Sequence, residues 1–399
     1  MSPAPSAWAS MVGLPRAVWW LSGAVLVNRM GAMVFPFLVL YFHRSLKLDL
    51  ETATGIAACY GIGSGFAAPL GGWLADRYDA IRVLTFSMAA AGIVLLGFPW
   101  LRSPYALMPA TFAIALLADL SRPSSLTALA RLGGEEKSRD AFALNYLAIN
   151  LGMSVGPLVG GYLAGIDYKW LFWVDGVSSL LACALLTLSG TRSPAPGRDG
   201  PRPDWNIGRT GFRAIGWFIL ALCVFLSFLI ATPIYVVEEL HHPESMVGWV
   251  WLLNTGLIVL TTMQINHWTR NQPLTRQLTL AGLLFAVGYA LVLLIPGMPG
   301  LLACILLLTV GEMMLFTNVN SYLQKVVAPH KMGRAMAMNS VAFSIALSSS
   351  TPMVGYFFSR GMADYLWLAL AVGGLLSAWG FHRLPETAER TEAAERSEP

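Results

Sequence analysis

Four charged residues fall in the middle of long apolar runs: Arg29, Asp119, Arg122 and Glu312. Placing one such group at the centre of a bilayer costs about 2.5–3.5 kcal/mol on insertion scales, so these groups pair with one another or serve ions, protons and polar substrates. Asp119 and Arg122 stand three residues apart, on one face of a helix, and can form an ion pair. Pro123 follows directly and has no N–H, so the carbonyl of Asp119 loses its helical donor and the helix can bend beside the pair. Glu312 has no basic neighbour in its own run. A carboxyl in a low-dielectric cavity takes up a proton more readily than one in water, which is what a proton carrier needs. Its expected partner is Arg29 or the amine of a cationic substrate. Structural ion pairing and proton coupling or substrate binding stay open for all four.

A second tier of polar groups, Asn28, Asn145, Asn150, Asn254, Gln264, Asn318 and Asn320, is suited to hydrogen bonds between helices. Tyr41, Tyr60, Tyr146, Trp251, Phe316 and Tyr322 could line a path or simply pack. The four cysteines, Cys59, Cys183, Cys223 and Cys304, lie in apolar runs without metal-ligand spacing and read as small core residues. His241 and His242 share a polar connection, where solvation is the simplest reading and a pH response the alternative. There is no phosphate-binding glycine loop, nucleophile elbow or zinc-binding HExxH, so neither an enzyme nor ATP-driven transport is expected, and no cofactor or metal.

Elements that hold charges in this way must be membrane helices. Of 399 residues, 56% are hydrophobic and only 12% charged, and the mean hydropathy is +0.59; soluble domains carry roughly 25% charged residues. Lipid leaves unpaired peptide groups without partners, so each run of about 20 apolar residues is a helix. The runs predict an all-α membrane protein with twelve spans, near residues 17–42, 53–75, 81–101, 104–130, 140–165, 168–190, 213–237, 246–268, 276–295, 299–325, 334–358 and 363–382. The first run is too long for a cleaved signal peptide and reads as a retained helix. Residues 191–212, rich in Pro, Gly and Arg, read as a linker between a six-helix half at 1–190 and another at 213–383, and 384–399 as a disordered charged tail.

With the N-terminus in the cytoplasm, nineteen Lys and Arg lie on the inner side and five, Arg44, Lys47, Arg102, Lys169 and Arg360, outside. That bias orients both termini inward, and the same basic loops account for the net charge of +4 without a nucleic-acid partner. The halves correspond in order: Asp119, Arg139 and GPLVGGYLAG in the first, Glu312, Arg334 and TPMVGYFFSR in the second. Parallel six-helix repeats place a substrate site near mid-membrane.

The loop GGWLADRYDAIR resembles the signature G-x-x-x-D-R-x-G-R-[KR] between the second and third spans of the major facilitator superfamily, with Gly72, Asp76 and Arg77 matching, Asp79 where glycine is favoured and Arg82 displaced from the basic pair. The resemblance covers all twelve spans. It implies the major facilitator fold, and for Gly72, Asp76, Arg77 and Arg82 a gating role, with Asp76 facing the start of the eleventh span near Gly333 to Asn339. The corresponding loop of the second half has Thr269 in place of the acid, which makes the latch one-sided.

Within the superfamily, LGMSVGPLVGG resembles the fifth-span motif of drug/proton antiporters, with Gly152, Gly156, Pro157, Gly160 and Gly161 matching. RDAFALNYLAINLG, Arg122-Pro123-Ser124 and Gly311-Glu312 resemble counterparts in proton-dependent oligopeptide transporters, whose first-span E-x-x-E-R stands here as Val25, Asn28 and Arg29, so both carboxylates are missing. The resemblance implies a multi-pass bacterial inner-membrane protein, expected as a monomer, that exports a small amphipathic molecule in exchange for protons. The alternative it implies is proton-coupled uptake of a peptide-like zwitterion, held by Arg29, Arg122 and Glu312. A non-transporting scaffold would be expected to lack the mid-span charges.

Overall fold

The computed structural model describes residues 13–193, 207–269, 271–327 and 332–386. Most of the expected linker and tail, residues 194–206 and 387–399, and the side chains of Asp76 and Arg334, therefore lie outside the described residues. The described residues are helical and contain no strand. We label the helices α1 (Arg16–Gly31), α2 (Val34–Leu40), α3 (Leu50–Arg77), α4 (Ala80–Gly97), α5 (Pro104–Ile166), α6 (Lys169–Leu188), α7 (Gly208–Ile234), α8 (Glu244–Thr269), α9 (Leu274–Leu294), α10 (Met298–Val326), α11 (Met332–Ser359) and α12 (Ala363–His382).

Among the described residues, eleven stretches are long and apolar enough to cross a bilayer. The remaining expected span corresponds to α3, whose 28 residues extend about 42 Å at 1.5 Å per residue. The first expected span is α1 and α2 in series. The fourth and fifth fall inside one 63-residue helix, α5, and the loop expected between them retains helical hydrogen bonding. Its packing still demands two spans. Along α3, Gly63 meets Phe112 and Ala115 while Gly71 meets Leu120 and Pro123; along α1 and α2, Arg29 meets Gly152 and Met33 meets Gly160. The first part of α5 thus runs parallel to α3 and the second parallel to α1. Since α1 and α3 are successive spans joined by a short connection, the chain of α5 reverses between these parts, within residues 131–140. Arg131 donates from Nη2 to the carbonyl oxygen of Ala75, 3.1 Å away, and so binds the last turns of α3 to this reversal.

The chain forms two compact units, one of residues 1–48, 59–201 and 242–255, the other of 49–58, 202–241 and 256–399. In the first, α1 packs on α5 and α6, and α4 on α5 and α6; in the second, α7 packs on α11 and α12, and α9 on α10 and α12. The second set of neighbours reproduces the first. Paired glycines make corresponding crossings. A Cβ on Gly92 of α4 would lie 2.9 Å from the carbonyl oxygen of Gly176 in α6, and one on Gly374 of α12 would lie 2.9 Å from that of Gly282 in α9. Small residues of this kind let helix backbones approach closely where lipid supplies no hydrophobic drive.

The repeat extends to fine detail. Both α2 and α7 run on into a five-residue π-helical turn, Tyr41–Ser45 and Tyr235–Glu239. Each is closed by a leucine N–H on the tyrosine carbonyl, Leu46 on Tyr41 at 3.1 Å and Leu240 on Tyr235 at 2.9 Å. Each is followed by a residue at positive φ, Lys47 at 58° and His241 at 54°. Tyr41 packs on Phe172 near the start of α6 with ring centroids 4.6 Å apart, and Tyr235 on Trp367 near the start of α12 at 5.4 Å. The same ends of the helices carry ion pairs within each unit: Arg44 with Glu244 at 3.2 Å, Lys169 with Asp167 at 3.4 Å, and Arg360 with Glu51 at 3.2 Å.

The glycine crossings give a direct test. Gly92→Leu and Gly282→Leu should each lower the stability of the solubilised protein by about 1–3 kcal/mol, the usual cost of overpacking. Gly23→Ala and Gly216→Ala, where nothing lies within 4 Å of an added Cβ, should leave it unchanged or raise it. Thermal unfolding followed by tryptophan fluorescence distinguishes the two classes.

Candidate functional site

The first span is broken where its charge sits. After Gly31 the ladder lapses for Ala32 and Met33, with Ala32 at φ −72° and ψ 72°, and resumes at Val34. Gly31 lies so close to α6 that a Cβ there would fall 1.7 Å from Oγ of Ser178 and 3.4 Å from Cα of Asp175. The backbone at Met33 and Val34 lies against the Asp175 carboxylate, and the Met33 N–H donates to the Gly31 carbonyl oxygen, 2.7 Å away. Asp175 is 9% exposed. It is a fifth charge within the spans, beyond the four that the sequence suggested.

Asp119 and Arg122 form the expected pair, Nε of Arg122 lying 3.2 Å from Oδ1 of Asp119. The other oxygen of Asp119 accepts from Oγ of Ser64 in α3, 2.5 Å away. Both carboxylate oxygens are therefore engaged, and the carboxylate is nearly buried while the guanidinium of Arg122 is largely open. Arg29 projects from α1 among these groups, and its electrostatic neighbours are Arg122, Asp119, Tyr60 and Asp175. Beside it, Nδ2 of Asn28 donates to Oγ of Ser179 in α6 at 3.0 Å.

Together these side chains surround a cavity of about 60 Å³ inside the first unit, with Asn28, Arg29, Tyr60, Ser121, Asp175 and Ser179 as its polar lining. Phe35 closes one side, its ring 4.7 Å from that of Tyr60.

The glycine motif of α5 holds this arrangement in place. A Cβ on Gly152 would lie 2.5 Å from Cβ of Arg29, one on Gly156 3.1 Å from the Arg29 carbonyl oxygen, and one on Gly160 2.9 Å from Cβ of Met33. Three of its glycines therefore seat α5 against the broken first span at the charged residue. Gly161 faces α8 instead, 2.9 Å from the Glu244 carbonyl oxygen, and Gly248 approaches the Pro157 carbonyl oxygen equally closely.

Glu312 is half-buried in α10, within the second unit. Elsewhere in this unit Nδ2 of Asn318 donates to Gln277 at 2.9 Å, that of Asn339 to Asn320 at 2.9 Å, and Thr262 meets the sulfur of Met313 at 3.1 Å.

At the signature loop, Arg77 lies over the ring of Trp73, 4.7 Å from its centroid, and Arg82 is exposed. The tightly packed glycine there is Gly71, whose added Cβ would lie 2.5 Å from Pro123, while nothing lies within 4 Å of one on Gly72. Asp79 caps α4, accepting from the N–H of Ile81 at 2.9 Å, and accepts from that of Ser193 at 3.1 Å. An aspartate in the place of the favoured glycine thus ties the start of the linker to this loop. The contact expected of Asp76 lies outside the described residues.

Among known proteins, the chain is similar over 91% of its length to a Na(+), Li(+), K(+)/H(+) antiporter of Planococcus maritimus, at 26% identity and covering 95% of that protein. It is similar over 88% of its length to the multidrug resistance protein MdtH of Photorhabdus laumondii, at 22% identity and covering 90% of that protein. The fold matches the crystal structure of a POT family transporter in complex with a thioalcohol-conjugated peptide with a TM-score of 0.78, covering 93% of this chain and 98% of that one at 14% identity. Both resemblances in the sequence, to antiporters and to oligopeptide transporters, thus recur in these comparisons. The family description Major Facilitator Superfamily matches residues 21–351, and this multi-pass membrane protein belongs to that superfamily of transporters.

Proposed function

We propose that the chain is a proton-coupled antiporter that exports a small amphipathic molecule by alternating access between two six-helix halves, 1–190 and 213–383. The observation that carries this reading is the group of ionisable side chains at the break in the first span, Arg29 with Asp119 and Arg122. Ionisable groups at such depth are retained at a cost, and proton relays are a principal use of them. Of the two relatives, the name of one, a cation/proton antiporter, supports exchange against protons, and that of the other, a multidrug resistance protein, supports a drug-like molecule as the exported substrate.

In this mechanism protonation of Asp119 or Glu312 removes a buried negative charge and releases the halves to rock, and deprotonation on the other face restores it. Gly72, Asp76, Arg77 and Arg82 gate the inner side. The protein is a monomer of the bacterial inner membrane with both termini in the cytoplasm. An alkali cation is the second substrate reading, favoured by the name of the Planococcus relative. The likeness in fold to oligopeptide transporters is not specific enough to favour a peptide.

Purified protein in liposomes with an imposed proton gradient tests the reading against amphipathic drugs, alkali cations and small peptides. Gradient-driven transport of a drug or an alkali cation is expected, and competition by peptides is not. A double variant, Asp119→Asn with Glu312→Gln, should lose at least tenfold of that rate, equivalent to about 1.4 kcal/mol; an undiminished rate would sink the mechanism. Ser64→Ala keeps the carboxylate but removes its donor, and is expected to retain coupling while costing about 1–3 kcal/mol of stability. For topology, on a cysteine-free background, Lys47→Cys should react with an impermeant maleimide on intact cells and Lys325→Cys only after lysis; the reverse pattern would invert the orientation.

A further inference from the structure

We propose that Asp175 is the residue that takes up the coupling proton, in a water-sized cavity within the first unit, and that Arg29 is the charge its protonation releases. The inference rests on the proton-coupled reading above but moves the proton from Asp119 and Glu312 to a side chain that neither the sequence motifs nor the comparisons single out.

The geometry separates the two aspartates of this unit. Asp119 has one oxygen on Arg122 at 3.2 Å and the other on Ser64 at 2.5 Å. Asp175 makes no ion pair within 4.0 Å among the described residues, and faces the cavity instead. From α1 the groups that face it are Arg29 and Asn28, from the break and the start of α2 the backbone at Met33 and Val34, and from α3 Tyr60. From α4 they are Met88, Ala91 and Leu95, none of them titratable; from α5 Ser121, with Asp119 and Arg122 acting on Arg29 beyond it; and from α6 itself Ser179. The hydroxyl of Ser178 is turned to the carbonyl oxygen of Asp175, 2.9 Å away, and not to the carboxylate.

The size of the cavity decides what the site can take. It measures about 60 Å³, whereas a water needs about 10–15 Å³ of such volume and organic ligands occupy pockets of about 300–1,000 Å³. The space suits a few waters, which can deliver a proton, and excludes a drug-sized molecule. Arg29 in the same lining disfavours a metal cation, which would put two positive charges together in a medium that scarcely screens them.

With both aspartates ionised, the two arginines and two acids of these spans sum to zero. When an excess proton, carried into the cavity as hydronium, passes to the Asp175 carboxylate, neutral water and a neutral carboxylic acid form and Asp119 alone remains to balance Arg29 and Arg122. The imbalance falls on Arg29, which belongs to the helix that is interrupted three residues later, at Ala32. Return of the proton to water restores neutrality. Residues 32–33 are the place where the first span can respond without breaking a regular ladder.

The test uses the full chain in liposomes, with two readouts. Infrared difference spectra between acidic and alkaline buffer follow the carbonyl stretch of protonated carboxyls, and transport is measured both under a proton gradient and as substrate counterflow without one. Asp175→Asn is expected to lose the pH-dependent carboxyl band and at least tenfold of gradient-driven transport, while counterflow stays within about twofold, a change worth under 0.5 kcal/mol. Asp175→Glu is expected to keep the band with a shifted midpoint, which a merely structural acid would not do. An Asp175→Asn protein that keeps both the band and gradient-driven transport overturns the proposal; if Asp119→Asn or Glu312→Gln then removes them, the proton-coupled reading survives without it. A native protein that shows no pH-dependent band and ignores an imposed gradient overturns both. Should Asp175→Asn fail to fold, an unshifted midpoint in Asp175→Glu decides against the proposal.

Discussion

Charge within the spans is costly unless it pairs with other charged or polar groups or faces a water-filled cavity. In the first unit two arginines and two aspartates meet that requirement among themselves, and the surrounding structure follows from it. Arg29 can lie near the acids only if α5 approaches α1 closely, which the glycines at 152, 156 and 160 allow. Asp175 meets the first span where the helix opens at Ala32 and Met33, the backbone at Met33 and Val34 lying against its carboxylate. Asp119 remains in place because a hydroxyl from α3 and a guanidinium from its own helix engage its two oxygens. Each of these features would be costly without the others.

The second unit has the same framework of neighbours with different chemistry. Its equivalent crossings use Gly282 and Gly374, its first helix ends in the same kind of π-helical turn, and its aromatic packing at Tyr235 and Trp367 mirrors that at Tyr41 and Phe172. Where the first unit has Asp119 and Asp175 within its spans, the second offers Glu312 and a set of amides, with Asn318 joined to Gln277 and Asn339 to Asn320. Gln277 also donates to the carbonyl oxygen of Thr269, 3.0 Å away. In the second half a side-chain amide thus binds the end of α8, much as Arg131 binds the end of α3.

How much of this was legible in the sequence depended on how far apart the partners lie along the chain. Spans were legible because their length is imposed by the bilayer, and the Asp119–Arg122 pair because spacing on one helix fixes its geometry. The contact of Asp175 with the break in the first span joins residues about 140 positions apart, and no local pattern announces it. A signal was nevertheless present: Asp175 opens a small polar set, Asp-Gly-Val-Ser-Ser, within an otherwise apolar run. The π-helical turns were hidden for a different reason, since their residues read as ordinary ends of apolar helices. At the signature loop the motif drew attention to Gly72, whereas packing singles out Gly71, because which of two adjacent glycines faces a neighbour is set by helical phase rather than by residue type.

The paired π-helical turns also mark what the two units have in common. Such a turn arises when one extra residue is accommodated in a helix without disrupting its neighbours. Here it occurs at the same register in both halves, Tyr235 standing 194 positions after Tyr41, with matching closure and a matching left-handed residue after it. The framework that the two units share, π-helical turn included, is therefore held in common while the charges within it differ.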